Sequence, residues 1–152
     1  MDALDRAILR HLQEDGRLTN VELAERVRLS PSPCLRRVRA LEAAGVIRGY
    51  HADIDPAAVG RAFEVTVHIE LAFKDRATVE AFEAGVATLD EVVECRRMFG
   101  LPDYVVRVAV ADQAAYEAFY MNELAELPGL ARVNSQFTMK MVKASGGLPI
   151  DG

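Results

Sequence analysis

Apolar positions recur along this chain with two different periods, and the change falls near residue 60. In "LDRAILRHLQ", Leu4, Ile8 and Leu12 recur at i, i+4 and i+8, one stripe of a helix that Asp2 or its neighbours cap and Gly16 ends. In "LTNVELAERVRLS", Thr19 is an N-cap with Glu22 three residues on, a capping box, and Leu23, Ala24 and Val27 supply a buried face. That second helix has only about two turns, too few to persist alone in water, so it must pack on its neighbours. A third helix starts at Ser30 as N-cap, with Pro31 at the first helical position and Pro33 still in the first turn. Cys34, Val38 and Leu41 face inward. Ser32, Arg36 and Arg39 lie on the opposite side, with Arg37 at its edge, and Gly45 ends the helix. "VIRGYHADID" then alternates around Gly49 and predicts a short two-stranded wing.

After the linker "DPAAVG" the period drops to two. Phe63, Val65, Val67, Ile69, Leu71 and Phe73 point one way; Glu64, Thr66, His68 and Glu70 point the other. "DRATVEAFEAGVATL" reads as a helix with Val79, Phe82 and Val86 inward. "VVECRRMF" and "YVVRVAV" read as strands joined by the tight "GLPD" turn. "DQAAYEAFYMNELAEL" is a second helix stopped by Pro128 and Gly129, and "LARVNSQFTMKMV" is a last strand. The predicted fold class is α+β: a winged helix-turn-helix over residues 1–60, followed over 61–152 by a ferredoxin-like βαββαβ domain. In the expected strand order the first strand lies between the third and fourth. The sheet face away from the helices would carry Glu64, His68, Glu70, Arg107, Arg132, Gln136 and Lys140, acids beside bases, either as a solvated face or as the face of a symmetric dimer.

Composition narrows the class. About half of the 152 residues are hydrophobic, enough for a buried core. No run of about 18 apolar residues is present, so no membrane-spanning helix is expected. The start is acidic and amphipathic, unlike a secretory signal, and the widely separated Cys34 and Cys95 suit a reducing compartment; both point to the cytoplasm.

Charge is more informative when divided. The net charge is -5, yet residues 1–60 hold nine Lys/Arg and nine Asp/Glu, and residues 61–152 hold nine and fourteen. All the excess acidity belongs to the second half, so it does not oppose an anionic partner for the first. Between Leu29 and Leu41 stand Arg36, Arg37 and Arg39 and no acid. A recognition helix fits the major groove, about 12 Å wide, and must offer cations to phosphates and donors to base edges. Arginine does both, since it pairs bidentately with guanine. Ser32 and the Pro33 ring stand at the leading end of that helix beside Ser30, Thr19 and Asn20 open the helix before it, and Arg48 on the wing is placed to reach the backbone.

The stretches "LDRAIL" and "DGRLTNVELAERVRLSPSPCLRRVRALEAAGVIRGYHADIDP" resemble the Lrp/AsnC family of bacterial and archaeal transcription regulators. "VVECRRMFGLPDYVVRV" and "LPGLARVNSQFTMKMVK" stand at the places where that family has its ligand-sensing domain, so the resemblance covers nearly the whole chain. It implies binding to double-stranded promoter DNA, dimers through the sheet domain that often assemble further, and an amino-acid effector held between dimers; a dimer at least, and an octamer of four dimers, is expected here. The family's effector turn matches Gly100, Leu101, Pro102, Asp103 and Tyr104, and its other contributing segment matches Gln136, Phe137 and Thr138. The family often has Gly-Asp-x-Asp where this chain has Gly-Leu-Pro-Asp. One acid is missing, so Leu101 and Pro102 suit an apolar effector side chain such as leucine, methionine or an aromatic. Asp103 reads either as a turn-capping residue or as a contact to an ammonium.

Nothing points to catalysis. His11, His51 and His68 have no metal spacing, the cysteines form no zinc pattern, and no phosphate loop or serine-nucleophile motif is present, so no metal, cofactor or enzyme activity is expected. Cys95 is expected as a small buried hydrophobe, and Met139 and Met141 as fillers of the core or of an interface. The competing functional reading is an amino-acid-binding ferredoxin-like protein whose first domain docks a protein partner without reading DNA.

Overall fold

The computed structural model describes residues 1–144 and 146–151. It divides into two compact units, one formed by Met1–Asp53 with the segment from Val142 onward, the other by Ile54–Met141. The division falls a few residues before the linker boundary expected at residue 60.

The first unit has three helices, α1 (Ala3–Glu14), α2 (Asn20–Arg26) and α3 (Pro31–Ala43). Their inward stripes meet in one small core of Ile8, Leu23, Ala24, Val27, Cys34 and Leu41. Because α2 is so short, its ends are fixed by local bonds. At its start Thr19 Oγ1 accepts from the Glu22 N–H at 3.3 Å, and Glu22 Oε2 accepts from the Thr19 N–H at 2.8 Å, the expected capping box. α1 carries an equivalent pair, Asp2 with Asp5. α3 begins at Ser30 as expected, but the Ser30 side chain makes no capping bond; Pro31 sets the first turn instead.

Both α2 and α3 end in the same way. After α3, the Gly45 N–H donates to the Glu42 carbonyl at 2.9 Å and the Val46 N–H to the Leu41 carbonyl at 2.9 Å, with Gly45 at φ 68°. After α2, the Arg28 N–H donates to the Glu25 carbonyl at 3.1 Å and the Leu29 N–H to the Ala24 carbonyl at 2.8 Å, with Arg28 at φ 56°. Glycine adopts that conformation freely; a side chain there costs about 1–2 kcal/mol. The segment from Val142 onward returns to α1. The Gln13 amide donates to the Leu148 carbonyl and accepts from the Leu148 N–H, both at 2.8 Å, and Arg10 Nη1 donates to the Ile150 carbonyl at 3.2 Å.

The expected two-stranded wing does not form among the described residues: positions 48–55 are irregular and exposed. The alternation there is real but weak. An isolated two-stranded ribbon is marginal without a face to bury, and here Tyr50, Ile54 and Val46 remain exposed. Tyr50 instead turns back to α3, its hydroxyl donating to Glu42 at 3.0 Å.

The second unit runs β1 (Phe63–Leu71), α4 (Arg76–Val86), β2 (Val92–Arg97), β3 (Tyr104–Val110), α5 (Gln113–Asn122), a short 3-10 turn (Leu124–Glu126) and β4 (Leu130–Phe137). The sheet order is β2-β3-β1-β4, every pair antiparallel, which puts the first strand between the third and fourth as expected. Val65, Val67, Ile69 and Leu71 of β1 alternate inward and meet Val106, Val108, Phe82, Phe119 and Leu124 in the core. Asp75 and Asp112 cap α4 and α5 by accepting from the N–H three residues on. The helix expected through Leu127 breaks at Glu123, where φ falls to -130°.

On the opposite face acids stand beside bases as the alternation requires. Glu70 pairs in register with Arg132, 3.7 Å between charged atoms, and Arg107 lies 3.6 Å from Glu64 and 3.3 Å from Glu94. Two expectations fail at strand ends and edges: β1 stops at Leu71, so Phe73 is exposed, and Cys95 lies exposed on the edge strand β2. Met139 and Met141 follow β4 into exposed chain, outside the core.

Candidate functional site

In the first unit the outward face of α3 is the site to account for. Arg36 and Arg39 stand three residues apart on a helix, so they share one side. Both are exposed, as are Ser30, Ser32 and Arg48, and Pro33 is half-buried. Of the nine cations in residues 1–60, Arg37 alone lies within 4 Å of a carboxylate among the described residues. That lack of partners is what a surface meant for another molecule's anions requires.

Arg37 behaves differently from its neighbours. Its Nη1 donates to Asp2 Oδ2 and Asp5 Oδ1, each at 2.8 Å. The bonds to Asp5 and then Asp2 hold the guanidinium protonated above its ordinary value, and the Asp5 N–H, first, with Arg37 holds Asp2 below the usual carboxylate range. One turn of helix explains this: Arg37 lies about 100° round α3 from Arg36, on the side that meets the start of α1. Thr19 and Asn20 are likewise engaged inside the unit. Thr19 closes its capping box, and Asn20 Nδ2 donates to the Pro31 carbonyl at 2.8 Å, fixing the start of α2 to the start of α3. Asn20 Oδ1 is buried without a partner. The candidates thus divide into a set whose side chains are free of internal bonds among the described residues, Ser30, Ser32, Arg36, Arg39 and Arg48, and an engaged set: Asn20 and Arg37, half-buried, which hold α3 in place, and Thr19, exposed, which caps α2. Arg28, in the turn before α3, is exposed at φ 56°, and a lone arginine in "RVRLS" carries no local signal of that backbone.

In the second unit the turn from Gly100 to Tyr104 joins β2 to β3. The Met98 N–H donates to the Asp103 carbonyl at 2.7 Å and closes it; Gly100 sits at φ 116°, and the Leu101–Pro102 peptide is cis. Asp103 is the one buried acid among the described residues. Its Oδ2 accepts from the Leu71 N–H at 2.8 Å and its Oδ1 lies 2.7 Å from Lys74 Nζ. The Lys74 ammonium, with the Leu71 N–H, holds the carboxyl below the usual carboxylate range against the opposing effect of burial. Both oxygens are therefore engaged by the chain itself. Lys74 carried no spacing signal in the sequence. Tyr104 is buried, its hydroxyl donating to Glu83 at 2.8 Å, and burial followed by that bond pushes its phenol well up. Beside the turn is a cavity of about 290 Å³ lined by Leu71, Lys74, Val79, Arg97 and Leu101. Ligand pockets begin near about 300 Å³, so it suits a small solute.

The other expected effector segment is not brought to this turn. Gln136 pairs with Thr66 and Phe137 with Val65, whereas Tyr104 pairs with Ile69, so the two segments lie toward opposite ends of β1. Four residues of strand separate them along the sheet, about 13 Å. Phe137 stacks against Phe63, ring centroids 5.2 Å apart, and Thr138 lines a separate cavity of about 650 Å³ with Phe63, Arg107 and Met141.

The chain matches two family models, "Winged helix-turn-helix DNA-binding" over residues 1–48 and "Lrp/AsnC ligand binding domain" over residues 64–148. It is 41% identical to the leucine-responsive regulatory proteins of Escherichia coli K12 and Salmonella typhimurium over 150 residues, 99% of this chain and 92% of theirs. Among solved structures it resembles a transcriptional regulator from Neisseria meningitidis in complex with L-Met, with a TM-score of 0.93, 39% identity, and 98% and 96% of the two chains covered. It also resembles an AsnC family transcriptional regulator from Agrobacterium tumefaciens, with a TM-score of 0.91, 43% identity, and 98% and 97% covered. With both of its halves matched and its strand order that of a ferredoxin-like domain, the chain belongs to the Lrp/AsnC family of DNA-binding transcription regulators.

Proposed function

We propose that this protein reads double-stranded promoter DNA with the exposed face of α3, and that an amino acid at the sheet unit modulates its binding or assembly. One observation carries the first part: Arg36 and Arg39 stand exposed on α3 with no carboxylate within 4 Å among the described residues to neutralise them. In the groove they supply charge to phosphates and bidentate donors to guanine, Ser30 and Ser32 offer hydroxyls at the leading end, and Arg48 approaches the backbone. Arg37, Thr19 and Asn20 act as positioning residues. Arg37 and Asn20 fix α3 against α1 and α2, and Thr19 caps α2, so little freedom has to be lost on binding.

The effector reading rests on the turn. Asp103, tied to Leu71 and Lys74, keeps the turn in one shape, so that its backbone N–H groups and exposed Leu101 meet the ligand. An effector that touches both this turn and Gln136–Thr138 requires residues from two copies of the chain, since one copy holds them apart. We therefore place the effector between copies in a cytoplasmic assembly built of dimers, up to an octamer. The Neisseria regulator's L-Met complex supports an amino acid with an apolar side chain.

A gel shift with DNA from upstream of the protein's own coding sequence tests the DNA reading. A specific complex that weakens steeply with salt is expected, because phosphate contacts release counterions. Retention of the upstream duplex by an Arg36→Ala, Arg39→Ala variant at wild-type strength would refute this use of α3. A thermal-shift screen of the twenty amino acids tests the effector, since a ligand that prefers the native state raises the melting point. Light scattering at micromolar concentration tests the assembly; a monomer would sink it.

A further inference from the structure

Given the DNA-reading role proposed above, we propose that Arg28, in the turn between α2 and α3, is a phosphate contact of the DNA-binding unit. The motivating observation is its backbone. Arg28 is the only non-glycine residue at positive φ among the described residues. The same unit supplies the comparison, because α3 ends in the same pair of turn bonds with glycine, Gly45, at the equivalent place. Two identical turns, one built with the residue that suits it and one with a residue that resists it, call for a reason at the second.

The interior of the protein offers none. The Arg28 side chain is exposed, and no carboxylate lies within 4 Å of it among the described residues. It packs into neither core. Strain that nothing nearby repays is characteristic of positions kept for a ligand.

Its location says which ligand. Arg28 precedes Pro31, the first residue of α3, by three positions, so the two Cα atoms are at most about 11 Å apart. The leading end of α3 is the part that enters the groove, which is about 12 Å wide with a phosphate strand along each lip. A turn immediately before that end lies over a lip. The Asn20 bond to Pro31 holds the starts of α2 and α3 together, so the turn between them does not swing away. A permanently charged, forked guanidinium on that turn meets phosphate oxygens rather than bases.

The test uses the full-length protein with Arg28→Gly and Arg28→Lys. Fluorescence anisotropy follows binding to the upstream duplex and to a scrambled duplex of equal length over a series of KCl concentrations, and melting is followed separately. Arg28→Gly should melt about 2–4 °C above wild type, because glycine relieves the turn. It should bind both duplexes about tenfold more weakly, as loss of a charged hydrogen bond implies. Its log–log salt slope should be shallower by about 0.9 per bound copy. Arg28→Lys should keep the slope and the wild-type melting point. Wild-type affinity and slope in Arg28→Gly would overturn the proposal, and a loss confined to the upstream duplex would overturn the phosphate assignment. If wild type binds neither duplex, the DNA-reading assignment itself falls and takes Arg28 with it.

Discussion

Residues 1–60 and residues 61–152 carry nine Lys and Arg each, and the two units dispose of them in opposite ways. In the sheet unit Arg61, Lys74, Arg76, Arg96, Arg97, Arg107 and Arg132 each face a carboxylate of the same chain. In the helical unit, among the described residues, only Arg37 does, and its bonds to Asp2 and Asp5 fasten α3 to the start of α1. Their cores differ as well. Among the described residues fifteen side chains form the buried cluster of the sheet unit and six that of the helical one. The sheet unit is held by burial and pairs those cations with its own acids. The helical unit has little core, relies on caps and clamps, and leaves its cations for a partner. Net charge averaged over both would conceal the function of the first.

The largest expected effect is on that free charge. Arg36→Ala with Arg39→Ala should lose about 2–6 kcal/mol of binding to the upstream duplex, from about 1–3 kcal/mol per contact, with the melting point unchanged. Arg107→Ala removes an equally exposed arginine, but one already paired with Glu64 and Glu94, and should leave DNA binding as it was. Equal losses in the two variants would show that the distinction between free and paired cations has no functional meaning.

The cores can be compared next. Phe82→Ala in the sheet unit should cost about 3–5 kcal/mol, and Ile8→Ala in the helical unit about 2–5 kcal/mol. The smaller number falls on the smaller core, so Ile8→Ala should strip amide-exchange protection from α2 while β1 and β3 keep theirs. Uniform loss of protection throughout the chain would mean that the units do not differ in reserve.

Asp103 is the clamp that burial makes expensive to remove. Asp103→Ala strands the buried Leu71 N–H and unpairs Lys74, at about 1–3 kcal/mol. Because the folded carboxyl titrates below its unfolded value, the unfolded chain binds the extra proton. The contribution is then complete above about pH 4 and disappears as pH falls through the lower folded value. Melting points of wild type and Asp103→Asn should converge as the pH drops below 4; a gap that stays constant would remove the ion pair from the account.

How much of this was legible in the sequence depends on whether a residue's partner is near in the chain. Caps, helix stripes and strand alternation involve residues two to four apart, so Thr19 with Glu22, the α3 stripe and the whole βαββαβ order could be read directly. The arginines of α3 were legible as a group because no acid interrupts them. Their division was not, because the carboxylates that claim Arg37 stand 35 and 32 residues away, at Asp2 and Asp5. Lys74 and Asp103 were invisible as a pair for the same reason. Of the wing only its two strands were over-read: alternation in residues 46–55 had no second layer to bury it, and period alone does not make a strand. Arg28 left no mark because a backbone dihedral is not a residue type.

The smallest effect tests the claim that the helical unit depends on its caps. Thr19→Ala removes the hydroxyl that accepts from the Glu22 N–H and should destabilise by about 1 kcal/mol. Asp75→Ala removes the corresponding cap of α4, where Asp75 accepts from the Thr78 N–H. α4 has eleven residues and buries Val79, Phe82 and Val86, whereas α2 has seven and buries Leu23 and Ala24. The same lost bond is therefore a larger share of what holds α2. Amide exchange should show α2 opening in Thr19→Ala well below the global melting temperature, and α4 remaining protected in Asp75→Ala. Thr19→Ser, which restores an acceptor, should recover protection and DNA affinity together. If affinity returns without protection, Thr19 acts on DNA through its own hydroxyl rather than by holding α2, and the capping role argued for it is wrong.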